Sequence, residues 1–368
     1  MTAIAAPHAG SIETSTRDID EVTEADGDRA VLRWLVATAI CVVVALVIGG
    51  VTRLTESGLS ITEWRPVSGV VPPMSDADWA RAFQSYLQIP EAQDVHRGIT
   101  LDAFKALYWW EWVHRLLARL VGLVIAVPFF VLLLRRRIRP ALQLRLANLP
   151  ILVAAQGVLG WYMVKSGLTE RTDVSPYRLV AHLAVAVVIY LIAAWTAITL
   201  RRRVVAMDRL GVTVAVLAFV TILSGGFVAG LDAGKVYNEY PLMGAGVVPT
   251  EYGAMGAWWR DALENPVSAQ FNHRVMAIMT LLVALGAWRV RDGRGSAEAL
   301  RAWRWVAIAA MAQVALGIGT LLLAVPIPLA ALHQVGALGV LTAGLWAAGA
   351  ASPPASGGGI HQDGPGLS

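Results

Sequence analysis

The chain has 368 residues, 56% of them hydrophobic and 15% charged, with a mean hydropathy of +0.58 and a formal net charge of +4. So much apolar surface does not fit inside one water-soluble core, so composition excludes an ordinary globular protein and points to a polytopic membrane protein. The basic excess shows no aromatic-interleaved patch, and no nucleic-acid partner is expected.

Residues 1–29 are polar and acidic and lack a basic stretch ahead of a short apolar core, so they read as a disordered cytoplasmic tail rather than a cleaved signal. Apolar stretches follow at 32–52, 111–134, 143–164, 178–200, 210–231, 270–290, 302–325 and 329–350, each near the ~20 residues that a bilayer helix needs. Cys41, the single cysteine, lies inside the first stretch, which rules out an intramolecular disulfide. The segment 352–368, rich in Gly and Pro, reads as a flexible tail.

Short loops after the second, fourth and sixth spans carry Arg135, Arg136, Arg137 and Arg139, then Arg201, Arg202, Arg203 and Arg209, then Arg291, Arg294 and Arg301. The positive-inside rule makes these loops cytoplasmic, with both termini on the same side of a cell (inner) membrane. The long segments 53–110 and 232–269 then face outward, with Trp109, Trp110, Trp112, Trp258 and Trp259 at the outer boundary.

The two halves repeat one another. "EWVHRLL" at 111–117 matches "QFNHRVM" at 270–276, "QGVLG" at 156–160 matches "QVALG" at 313–317, and Gly49–Gly50 is echoed by Gly225–Gly226. The expected fold is therefore all-α, a polytopic membrane protein of eight transmembrane helices arranged as two duplicated, parallel-related four-helix bundles, over 30–205 and 206–351.

His114, His182, His273 and His333 fall in spans two, four, six and eight, each near the outer start of its span, while His8, His96 and His361 lie in tails or a loop. One histidine inside a membrane reads first as a helix–helix hydrogen bond. Four at one depth, two per bundle, instead form the arrangement that grips haem iron from both axial sides, His114 with His182 and His273 with His333. Arg115 and Arg274 follow two of them, either as partners for haem propionates or as interfacial arginines snorkelling to headgroups. Arg119, a turn deeper, is expected to face the pocket.

Residues three apart share a helix face, so Glu111 lies beside His114 where Gln270 lies beside His273. Oxidising an organic ligand requires proton removal, whereas carrying electrons does not, which makes the first half the candidate for chemistry and the second the seat of a resident cofactor. The plainer reading of Glu111 is an interfacial carboxylate stabilised by a helix dipole.

Several segments resemble the haem A synthases, in the class shared by mitochondria and many bacteria: "GGVTRLTESGLSITEWRPVSGVVPP" at 49–73, "EWVHR" at 111–115, "AGLDAGKVYNEYPLM" at 229–243, "FNHR" at 271–274 and "LHQ" at 332–334. The resemblance covers nearly all of 30–350. It implies an oxidoreductase that oxidises the C8 methyl of haem O to a formyl group, giving haem A for cytochrome oxidase. It further implies that His273 and His333 hold a haem b, that His114 and His182 belong to the substrate haem site, that Glu111 is needed for the chemistry, and that the chain contacts the farnesyltransferase that makes haem O. Another branch of that family has paired cysteines in the outer loops, which this chain lacks, and "PLMGAGVVPTEY" at 241–252 departs from the family's acidic "PLMDG". The alternatives are a dihaem b-type cytochrome that only relays electrons, and a transporter using the histidines as a proton relay. Four histidines near one face argue against the first, and continuous spans argue against the second.

Overall fold

With no water in the hydrocarbon layer, a spanning segment must satisfy its backbone internally, and apolar runs of this length do so as helices. In the computed structural model, the described residues are 10–170, 174–202, 204 and 206–350. Their helices are α1 (Gly10–Leu54), α2 (Asp76–Tyr86), α3 (Pro90–Asp94), α4 (Leu101–Leu134), α5 (Pro140–Glu170), α6 (Pro176–Arg202), α7 (Arg209–Gly230), α8 (Trp258–Glu264), α9 (Pro266–Arg291), α10 (Ala297–Leu322) and α11 (Ile327–Gly349). Among the described residues, eight helices are long and apolar enough to cross a membrane: α1 from Ala25, α4, α5 up to Leu168, α6, α7, α9, α10 and α11. The protein is an all-helical, multi-pass membrane protein.

Two boundaries differ from the sequence reading. The segment 10–29, expected to be disordered, continues α1 as helix; Arg29 pairs with Asp26 one turn away, and Asp28 pairs with Arg139 at the start of α5. Residues 1–9 and the expected C-terminal tail lie outside the described residues. The second span begins at Leu101 rather than 111, because Thr100 caps α4 by accepting from the N–H of Ala103. The added turns bury Phe104 and Tyr108 against Leu59, Tyr86, Ile89 and Ala92 of the first long loop. Hydropathy locates the membrane but not a helix that continues beyond it.

Neighbours along the chain pack in two rings. α1, α4, α5 and α6 contact in sequence and close through α1 against α6; α7, α9, α10 and α11 do the same and close through α7 against α11. This packing is compatible with a duplicated bundle. The rings meet through α6 against α7 and α1 against α11, and Trp34, Leu35, Ile125, Val187, Tyr190 and Leu341 share one apolar core across them.

Lipid is as apolar as leucine, so helix association in a membrane relies on close packing, and small residues permit it. α7 and α11 touch backbone to backbone at two points: a Cβ on Gly344 would lie 2.9 Å from the backbone nitrogen of Ala215, and one on Gly211 would run into the backbone of Ala347 and Ala348. Gly211→Ala should therefore force the helices apart and cost about 1–3 kcal/mol. Gly286→Ala, which meets nothing within 4 Å, should be neutral or mildly stabilising. Thermal unfolding in detergent checks the pair; equal midpoints would show that this crossing does not limit stability.

Candidate functional site

Each of the four intramembrane histidines rests on a glycine of the helix with which it packs. A Cβ on Gly49 (α1) would lie 2.7 Å from Cε1 of His114 (α4), and one on Gly160 (α5) 3.2 Å from Cε1 of His182 (α6). In the second ring the corresponding distances are 3.1 Å from Gly225 (α7) to His273 (α9) and 2.8 Å from Gly317 (α10) to His333 (α11). At Gly49 and Gly317 an added Cβ would collide with the imidazole, and at Gly160 and Gly225 it would fit only if the ring gave by a few tenths of an ångström. The repeats read as Gly-Gly and Gln-x-x-x-Gly are therefore the seats of the histidines.

Counting residues from the helix start no longer measures depth for His114, because α4 projects beyond its neighbours. The shared glycine seat is what makes the four positions alike.

The ring centres of His273 and His333 are 6.4 Å apart, with planes at 85°. A ligating imidazole nitrogen sits about 2 Å from a metal and about 1 Å from its own ring centre, so two rings clasping one ion axially have centres about 6 Å apart. The spacing and the donor pair fit a haem iron.

The hydrogen bonds behind the rings differ between the rings of helices. Ser224 Oγ donates to the carbonyl of Thr221, so at 2.8 Å it accepts from Nδ1 of His273, which leaves Nε2 free to ligate. His333 is flanked by Gln313, whose Nε2 is 3.1 Å from Nδ1 and donates to the His333 carbonyl at 2.9 Å. In the first ring Gln156 donates equivalently to the carbonyl of His182, at 2.9 Å, but Nδ1 of His182 makes no hydrogen bond among the described residues. His114 has the Ala45 carbonyl near it, yet its buried Nδ1 makes no well-formed hydrogen bond either, and Ile48 stands where Ser224 stands in the repeat.

Above each pair runs a strap from the long loop. One constant offset relates Gly49 to Gly225, Glu56 to Asp232 and Ile61 to Tyr237, and Glu56 and Asp232 both turn the chain with positive φ, 52° and 51°. Arg115 Nη2 donates to the carbonyl of Ile61 at 2.8 Å, and Arg274 Nη2 donates to that of Tyr237 at 3.0 Å. Arg115 also holds the Glu63 carbonyl, and Arg274 that of Leu242. These arginines, expected at propionates or lipid headgroups, clamp the straps. Arg119, expected to face the pocket, donates to the carbonyls of Arg65 and Pro66 on the same strap.

The acid-for-amide difference falls at this clamp. Glu111 is 2% exposed, and its Oε2 accepts from Ser60 Oγ at 2.7 Å and from the Ile61 N–H at 2.5 Å. Its Oε1 accepts from Arg115 Nε at 3.0 Å and Nη2 at 2.5 Å. Gln270, equally buried, turns its amide the other way and donates to the Tyr237 carbonyl at 3.0 Å. The carboxylate thus receives a strap N–H where the amide supplies one to a strap C=O. Glu111 and His114 share the inner side of α4, and of the partners of Glu111 only Arg115 lies nearby in sequence, while Ser60 and Ile61 lie some fifty residues upstream.

The second strap carries the divergent 241–252 segment. The Glu239 side chain accepts from the N–H of Gly244, which sits at φ +70°, and Met243 is buried, so a glutamate from the preceding turn caps the loop. Buried Asp261 fastens the rest, accepting from the N–H groups of Gly253 and Met255, from Asn265 and from Ser268. Burial alone would raise the pKa of Asp261, but these four donors outweigh it and hold the group below the usual carboxylate range.

The family model described as COX15-CtaA, cytochrome oxidase assembly protein, matches residues 32–345. A heme A synthase of Parvibaculum lavamentivorans is 44% identical over 334 residues, 89% of this chain and 96% of its own. One of Rhodospirillum centenum is 45% identical over 340 residues, 89% of each chain, and one of Nitrosospira multiformis is 42% identical over 323 residues, 85% of this chain and 91% of its own. No solved structure matches.

If the glycine seats set the imidazoles, Gly317→Ala should push His333 off axis and lower the haem retained on purification. Gly319→Ala, with nothing within 4 Å of the added carbon, should retain it. The haem-to-protein absorbance ratio reads the difference, and equal ratios would remove the seats from the account.

Proposed function

The chain belongs to the COX15-CtaA family of cytochrome oxidase assembly proteins, and from that premise we infer that it is a haem A synthase, an oxidoreductase that converts haem O to haem A. The relatives give no support to a purely electron-relaying dihaem cytochrome.

We propose that haem O binds between His114 and His182 and that a haem b resides between His273 and His333. The observation that carries this assignment is the uneven backing of the rings. A permanent ligand gains from a fixed tautomer and orientation, and Ser224 supplies both to His273, whereas Gln313, like Gln156 at His182, holds the backbone carbonyl of its histidine. A substrate site must also release its product, and His114 and His182 have an unpartnered Nδ1 among the described residues, so their rings are held mainly by packing.

A haem held by His273 and His333 would accept electrons and pass them on. The chain's own contribution to the oxidation is positional. Glu111, Arg115 and Arg119 fix strap residues 60–66 from α4, with the carboxylate anchoring the strap at Ser60 and Ile61. All its near donors are engaged, so Glu111 acts first as the anchor that sets the strap over the first pocket; taking a proton at Oε1 would require Arg115 to move away.

Arginines cluster at the ends of α4, α6 and α9, opposite the straps, which supports an orientation with the termini in the cytoplasm and the pockets near the outer face of the inner membrane. The lipid bilayer is then the surrounding medium, and the family resemblance supports delivery of haem O by the farnesyltransferase that makes it.

Chromatography of haems extracted from membranes tests the function. Deleting the gene should remove haem A and leave haem O in its place, and an unchanged haem composition would contradict the assignment. Glu111→Gln should keep bound haem but cut haem A output by about 100-fold, the scale of a misplaced reacting group. Undiminished output would reject the role given to Glu111.

A further inference from the structure

Gln334 follows directly after His333 on α11, yet its side chain leaves its own ring of helices. Nε2 donates to the carbonyl of Leu46 on α1 at 2.9 Å, and Oε1 occupies the space that a Cβ on Gly50 would need. Gly50 neighbours Gly49, on which His114 rests. One hydrogen bond therefore connects the residue beside a ligand of the second pocket to the helical turn that seats a ligand of the first.

The repeat contains the matching contact with different chemistry. Gly226 corresponds to Gly50, and it meets Leu183, the residue after His182, with a Cβ distance of 2.9 Å to Cδ2. The two crossings between the rings thus pair glycine with the residue that follows a ligand histidine, and one is apolar while the other is polar. An apolar side chain can slide over a helix backbone, whereas an amide bound to a particular carbonyl fixes register. The Leu46 carbonyl lies one turn before Gly50, so Gln334 grips the same turn with which it is in contact.

We propose that Gln334 is a positioning residue that couples the two pockets, so that a disturbance of the His114 seat is transmitted to the His333 site. The coupling rests on the reading of both pockets as haem sites. The amide holds α1 and α11 in one register; a change in the backbone at Gly49 moves the Leu46 carbonyl, and Gln334 carries that movement to the adjacent ligand. With leucine at 334, as at the other crossing, the helices would shift independently.

A double-mutant cycle on the purified full-length protein tests this, with the midpoint potential of the haem held by His273 and His333 as readout. In the parent background Gly49→Ala should change the reduced-to-oxidised ratio of that haem at fixed potential by about two-fold or more, and in the Gln334→Leu background it should not. The same change in both backgrounds, or none with Gln334 present, overturns the coupling. If Gln334→Leu fails to retain haem, Gln334→Met, similar in length without the amide, takes its place in the cycle. A spectrum unaffected by His333→Ala would instead remove the haem assignment beneath the proposal, which separates the two failures.

Discussion

The close approach of an imidazole to a glycine backbone is the constraint on which the site depends. A histidine among transmembrane helices faces the interior, and each of these four brings its Cε1 close to a neighbouring helix. Gly49, Gly160, Gly225 and Gly317 make room for that in four places. Each seat is on the helix preceding the histidine's own spanning helix, so the ligand geometry follows from packing between successive spans. The glycines beside two of the seats, Gly50 and Gly226, perform a second task by letting the other ring of helices approach.

On this shared frame the halves diverge by small substitutions. Ser224 against Ile48 decides whether the first imidazole of a pair has a fixed tautomer, and Glu111 against Gln270 decides how the strap above it is held. A carboxylate accepts from the strap's N–H and enlists Arg115, whereas an amide donates to a strap carbonyl and leaves Arg274 to the carbonyls alone. One half thereby gains a tightly tied strap over rings lacking hydrogen-bond support at Nδ1. The other gains a hydrogen-bonded Nδ1 at His273.

Much of this was legible in the sequence for identifiable reasons. Lipid imposes length and hydropathy on a helix, so the spans stood out, and histidine is scarce enough in membranes that four at matching places were conspicuous. The start of α4 was not legible, because "LDAFKALYWW" continues the helix into an aqueous loop where Phe104 and Tyr108 find a loop core. The helix before Ala30 was missed because an acidic composition says little about a segment that extends a stable span. Gln156 and Gln313 were visible only as repeat markers, and the carbonyls that Arg115 and Arg274 hold on the distant straps leave no trace in composition.

Electron paramagnetic resonance of the oxidised, purified protein tests the central claim most directly, since two axial imidazoles give a low-spin ferric signal. The account requires that signal in the parent protein, its loss on His273→Ala or His333→Ala, and its persistence on His114→Ala. A low-spin signal indifferent to His273 and His333, or none in haem-loaded protein, would contradict it.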